Sequence, residues 1–117
     1  LKENKQIQEI DFLSFIDMYA KSTKVAGTRE QYLSLKNSLS SFSGNFLPVT
    51  AINLNYLTRY EKYLRDRGVQ NGVINYMRSF RSLFNKCRDH YNDDESEKFL
   101  IPHYPFKKYV FPKNKGN

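Results

Sequence analysis

Six apolar residues between positions 73 and 91 (Val73, Met77, Phe80, Phe84, Cys87 and Tyr91) recur at intervals of four, three, four, three and four. This is the 3.6-residue period of one helix face, held for about five turns, and a strand, whose period is two, cannot use it. So long an apolar stripe has to be laid against other elements. Asn71 stands where its N-cap is expected.

Three further helices are readable as those partners. The first spans Asp11 to Ser22, with Asp11 as N-cap and Phe12, Ile16, Tyr19 and Ala20 on one face. In the second, Thr28 and Gln31 have capping-box spacing, Tyr32, Leu35, Leu39 and Phe42 follow at helical intervals, and Gly44 is the stop. Asn53 caps the third, whose stripe is Leu54, Leu57, Tyr60, the stem of Glu61 and Leu64, ending at Gly68. Pro48 and the apolar Val49 and Ile52 link the second helix to the third. Strand-type alternation is weak throughout, so the expected class is all-α, a bundle of four helices.

The expected organisation is a linker over residues 1–9, one folded domain over 10–101, and an extended tail over 102–117. Asp93 to Ser96 reads as a solvated turn and Phe99-Leu100-Ile101 as a short apolar run. Three of the four prolines lie from Pro102 onward, among Lys107, Lys108, Lys113 and Lys115, which is linker chemistry. A chain of 117 residues is long enough for one modest core. No apolar run approaches the roughly 20 residues a membrane span needs, so no membrane partner is expected. The single cysteine, Cys87, excludes an internal disulfide framework and fits a reducing, cytoplasmic setting. Leu1 in place of Met suggests a processed product or a fragment of a longer protein.

The net charge of +7 is unevenly placed. Residues 1–20 carry −2 and the block 89–97 carries −5, whereas 71–88 hold Arg78, Arg81, Lys86 and Arg88 with no acid. At about 100° per residue, Ile74, Arg78, Arg81, Asn85 and Arg88 form a line beside the core stripe, with Asn75 and Ser82 further round the same outer side. Arg, Asn and Ser together suit a DNA groove: Arg for phosphates or guanine edges, Asn for adenine, Ser for phosphate. The second helix repeats the layout with Arg29, Leu33, Lys36 and Ser40. Its N-terminus, beside Lys24, Thr28 and Arg29, offers backbone N–H groups as a phosphate seat. The pattern therefore points to a polyanionic partner, with double-stranded DNA a fit to the groove-facing row and ordinary solvated faces the plain alternative. A helical module for an acidic protein partner is the alternative, and a small RNA-binding module a third.

Three motifs in order give the chain a family likeness. Thr28-x3-Tyr32-x6-Leu39-x2-Phe42, then Leu57-x2-Tyr60-x2-Tyr63-Leu64-x3-Gly68, then Asn71-Gly72-Val73-x2-Tyr76-x3-Phe80-Arg81-x-Leu83-Phe84-Asn85 resemble helices two to four of the core-binding, SAM-like domain of tyrosine recombinases. Pro105-Phe106-x-Lys108 is similar to the segment that leads into the catalytic domain of phage and conjugative-element integrases. The resemblance implies an orthogonal SAM-like bundle that forms one half of a clamp around the recombination site, with helices two and four on the duplex. It further implies a full-length protein that self-associates as a tetramer on DNA in the bacterial nucleoid, the isolated domain being monomeric. Carried over by position, it makes Thr28, Lys36, Arg78, Arg81 and Asn85 contact candidates. Lys24, Arg29, Asn75, Ser82 and Arg88 join them on geometry alone. Gly72 stands where the family pattern usually has Thr.

Catalysis is not expected of this chain. The family reaction needs a nucleophilic tyrosine, arginines and a His-x-x-Arg, but His90 is followed by Tyr91-Asn92-Asp93 and His103 by Tyr104-Pro105-Phe106. Tyr32, Tyr60, Tyr76 and Tyr91 lie on or beside core stripes, where packed rings are expected. Cys87 and His90 are a helical turn apart without a second ligand pair, so Cys87 reads as core and no metal or other cofactor is expected.

Overall fold

The computed structural model describes residues 10–69, 72–93, 95, 96 and 98–112. The readings placed on residues 1–9, Asn71, Asp94, Glu97, Lys113 and Lys115 lie outside them. Four α-helices are present among the described residues: α1 (Phe12–Ser22), α2 (Ala26–Ser43), α3 (Leu54–Asp66) and α4 (Gly72–Tyr91). A 3₁₀ turn (Val49–Ala51) precedes α3. After α4 come a two-residue antiparallel pair, β1 (Asn92–Asp93) with β2 (Lys98–Phe99), and a second 3₁₀ turn (Pro105–Lys107). The all-α expectation holds, with the small hairpin added.

Asp11 shows how a single cap sets both a helix and its neighbour. Its Oδ1 accepts from the backbone N–H of Leu13, closing the start of α1, and also from that of Leu47 at 2.9 Å. Beside it Phe12 N–H donates to Leu47 O and Val49 N–H to Ile10 O, which pins the 47–49 segment along the entry to α1. Asn53 caps α3 through Tyr56 N–H, as its position in the sequence suggests. Gly44 and Gly68, at φ +92° and +81°, supply the left-handed residues that follow α2 and α3.

Two expectations about α2 and α3 need correction. α2 begins at Ala26 rather than at Thr28, with Val25 as an N-cap that makes no side-chain bond, so the Thr28–Gln31 capping box is not formed. Leu54 at the head of α3 is exposed, and Tyr56 takes its place in the core. The reason is phase: the face that meets Phe42 and Phe80 runs through Tyr56 and Tyr60, not through Leu54.

The core converges on α4. Phe80 stacks on Phe12 of α1 at 5.5 Å between ring centroids and meets Tyr56 and Tyr60 of α3 edge-on. Phe84, also fully buried, touches Phe12 and the rings of His103, Tyr104 and Phe106. Val73, Met77 and Cys87 extend the stripe as expected, and Leu83 joins it.

The tail differs from its expected form. Residues 101–111 are packed on the bundle: Ile101, Pro105, Phe106 and Tyr109 are buried, and Tyr109 OH donates to Glu61 of α3. His103 Nε2 lies 3.1 Å from both Val49 O and Ile52 O, and since both partners are carbonyls this nitrogen carries the proton. Arg88 Nε and Asn92 Nδ2 donate to Ile101 O, fastening the tail to the end of α4. The proline and lysine content that suggested a linker is carried on a segment anchored by its aromatic residues.

Truncating the convergence point tests this packing. Phe84→Ala should lower unfolding free energy by about 3–5 kcal/mol, as removal of a buried ring does. Chemical denaturation reads the change, and an unchanged midpoint would mean the stripe does not face inward.

Candidate nucleic-acid interface

With its apolar stripe facing α1, α3 and the tail, α4 has one rotational setting. Relative to Val73, and at 100° per residue, Arg88, Arg81, Asn85 and Arg78 fall at about 60–140°, Ser82 near 180° and Asn75 near 200°. Arg78, Arg81, Asn85 and Asn75 are exposed, and Ser82 is half-buried. From Gly72 to Arg88 no acidic residue interrupts this outer surface.

The arginines are not equivalent. Arg78 has no ion pair or hydrogen-bond partner among the described residues. Arg81 also lacks an ion pair there, but its guanidinium carbon lies over the Phe111 ring, 4.4 Å from the centroid. Arg88 is committed to the fold: Nε donates to Ile101 O, Nη2 reaches Pro102 O, and the Tyr104 ring lies beneath it.

The basic line expected on α2 is turned toward α1. Arg29 donates through Nε and Nη2 to Thr23 O, tying the start of α2 to the end of α1. Lys36 pairs with Asp17 at 3.2 Å, and Asp17 also pairs with Lys21 at 3.0 Å. Hydrogen bonds from Lys21 and then Lys36 hold the Asp17 carboxyl below its ordinary value of 3.8. Thr28 is half-buried in the first turn of α2, and Lys24 is exposed in the connection before it. The first N–H groups of α2 have no side-chain cap.

The opposite flank of α2 forms a groove with α4. Gly27, Glu30, Gln31 and Ser34 line one wall, and Gly72, Asn75, Tyr76 and Ser79 the other, around a volume of about 340 Å³. Ser34 and Tyr76 also line its continuation toward Tyr63 of α3 and Arg67 just after that helix. A Cβ on Gly72 would come 3.0 Å from Val69 Cγ1, so glycine allows the close approach where the chain enters α4. Of the ten expected contact residues, the structure therefore brings Asn75, Arg78, Arg81, Ser82 and Asn85 onto one outer arc. Lys24 and Thr28 lie at the head of α2, while Arg29, Lys36 and Arg88 have partners inside the fold. Gln31, Ser34 and Ser79, which line this groove, were not among the expected residues because Gln31 was assigned to a capping box and the two serines lie off the basic lines of their helices.

Three carboxylates outside this region are paired with cations. Glu61 accepts from Arg65, Asp66 pairs with Lys62, and Asp17 has its two lysines. Cys87 is fully buried, and burial pushes its thiol up to about 12, which suits a core residue and not a reactive thiolate. Among the described residues no group of three His, Cys, Asp or Glu side chains could hold a metal ion, and no helix is long and apolar enough to cross a membrane.

A family model described as the phage integrase SAM-like domain matches residues 11–96. No curated protein and no solved structure matches the chain.

The Lys36–Asp17 pair makes a measurable claim. Asp17 is held deprotonated more strongly in the folded than in the unfolded chain, so its contribution is present above the unfolded value and is lost as pH falls through the lowered one. In Lys36→Gln, NMR titration of the Asp17 carboxyl should give a value shifted up toward 3.8, though still depressed by Lys21. An identical titration in both proteins would show that Lys36 is not bound there.

Proposed function

Because the chain belongs to the phage integrase SAM-like domain family, we propose that it is the DNA-gripping domain of a site-specific tyrosine recombinase, supplying affinity and position while the cleavage chemistry resides in a separate catalytic domain. The observation that carries this reading is the acid-free outer arc of α4, where exposed Arg78 and Arg81 alternate with Asn75, Ser82 and Asn85. Guanidiniums without carboxylate partners repel one another by a few tenths of a kcal/mol in the free protein, and a phosphate backbone relieves that repulsion.

The duplex lies along α4 and reaches the head of α2. There the uncapped N–H groups, with Lys24 and Thr28 beside them, favour a phosphate. Gln31, Ser34 and Ser79 add neutral donors and acceptors along the groove. Arg29, Lys36 and Arg88 support this surface from within by fixing α2 against α1 and the tail against α4. As half of a clamp, the domain binds weakly and as a monomer alone; the complete recombinase assembles as a tetramer on its site in the nucleoid.

Fewer free cations imply a shallower salt dependence than a count of all basic residues would. Lys24, Arg78 and Arg81, with the exposed Lys107 and Lys108, give a log–log slope of about −3 to −5 at ~0.9 per phosphate contact. Arg78→Ala combined with Arg81→Ala should weaken binding to a mixed-sequence duplex by about 2–5 kcal/mol and flatten that slope by about two, with the helical signal retained. Unchanged affinity in the double variant would remove α4 from the interface. A folded chain that shows no duplex binding even at low salt would favour the acidic-protein partner instead.

A further inference from the structure

We propose that Phe111 is a positioning residue for Arg81: its ring holds the guanidinium on the outer face of α4 with the N–H edge open to a phosphate or base. The inference rests on the DNA-binding reading above and adds to it a residue from the tail, which no motif marks.

The geometry has three parts. First, the guanidinium carbon of Arg81 stands over the Phe111 ring at 4.4 Å, the shortest of the five cation–ring approaches among the described residues. Second, the Phe111 ring is itself held. It packs edge-on against Tyr109 at 5.1 Å and parallel to Phe106 at 6.3 Å, and Phe106 rests on Phe80 and Phe84. A continuous column of rings thus runs from the centre of the core to a surface arginine. Third, the Arg81 donors have no hydrogen-bond partner among the described residues, whereas Arg88, also over a ring, has given its donors to the Ile101 and Pro102 carbonyls. Arg78 has neither ring nor bond among the described residues. Of the three arginines on this line, Arg81 alone combines a held cation with unused donors.

This combination has a physical consequence. An exposed arginine samples many rotamers, and binding must restrict them; a side chain already held on an aromatic face loses less. The planar fork of five N–H donors lies round the edge of the guanidinium, so a ring against one side does not compete with bidentate contacts to an anion.

The test compares duplex binding by fluorescence anisotropy for the full chain, Phe111→Leu, Phe111→Tyr, Arg81→Ala and the Arg81→Ala/Phe111→Leu double variant, with thermal melts of each. Phe111→Leu should weaken binding about two- to fivefold, the range of an exposed cation–ring contact, while Phe111→Tyr stays within about twofold of the parent. In the Arg81→Ala background Phe111→Leu should have no further effect. Without DNA, ring current should place the Arg81 Nε proton upfield in the parent and in Phe111→Tyr, but not in Phe111→Leu. Should Phe111→Leu loosen the tail, Arg81→Lys serves as the second probe, since it keeps the charge and loses the planar fork; parent-like affinity there would overturn the proposal. So would an equal loss from Phe111→Leu with and without Arg81, which would mean the ring acts through the tail's packing. If Arg81→Ala leaves affinity unchanged, Arg81 is no DNA contact and the proposal fails, while the wider reading still stands on Arg78 and the head of α2; if Arg81→Ala weakens binding and Phe111→Leu does not, only the positioning claim fails.

Discussion

The packing of Phe80 and Phe84 is the constraint on which the rest depends. These two buried rings, one helical turn apart on α4, receive Phe12 from α1, Tyr56 and Tyr60 from α3, and Phe106 from the tail. Three elements that share no sequence proximity are thereby referred to one helix. Fixing α4 against all of them leaves it a single rotation, and that rotation decides which residues meet solvent. The outward arc of Asn75, Arg78, Arg81, Ser82 and Asn85 is thus a consequence of the core.

Charge follows the same logic. Asp17, Glu61 and Asp66 are matched by lysines and arginines on their own or adjacent helices. Among the described residues, positive charge without a carboxylate partner is left on α4, at the head of α2, on the tail at Lys107 and Lys108, and at Arg59 and Arg67. Several cations lie over rings, Lys86 over Tyr19 and Arg67 over Tyr63 among them, which shows how a chain with nine tyrosines and nine phenylalanines seats its basic side chains without acids.

Much of this was legible in the sequence, for identifiable reasons. Asp11 and Asn53 cap helices by local side-chain geometry, and the α4 stripe has a period that survives without tertiary information. The start of α2 was misread because a Thr–Gln spacing fits a capping box, whereas the helix begins two residues earlier, at Ala26, where no side chain caps it. The tail was misread because Phe106, Tyr109 and Phe111 follow no helix or strand period, and only their fit against α3, α4 and each other reveals the anchor. The same limit applies to the candidate interface. The outer arc of α4 follows from its core stripe, but the engagement of Lys36 by Asp17, nineteen residues away, and of Arg88 by Ile101, thirteen away, exists only after folding. A line of basic residues on a helical wheel does not distinguish a cation that waits for a ligand from one that holds the fold together.

The central claim is that the outer arc of α4 and the head of α2 meet a duplex together. Backbone amide chemical-shift mapping of the labelled chain during titration with duplex DNA tests it most directly. The account expects the largest shifts at Asn75, Arg78, Ser82 and Asn85 and in the first turn of α2, with α3 near Arg59 and Lys62 little affected. Shifts centred on α3, or on the α1 surface around Lys21, with α4 unmoved, would contradict it.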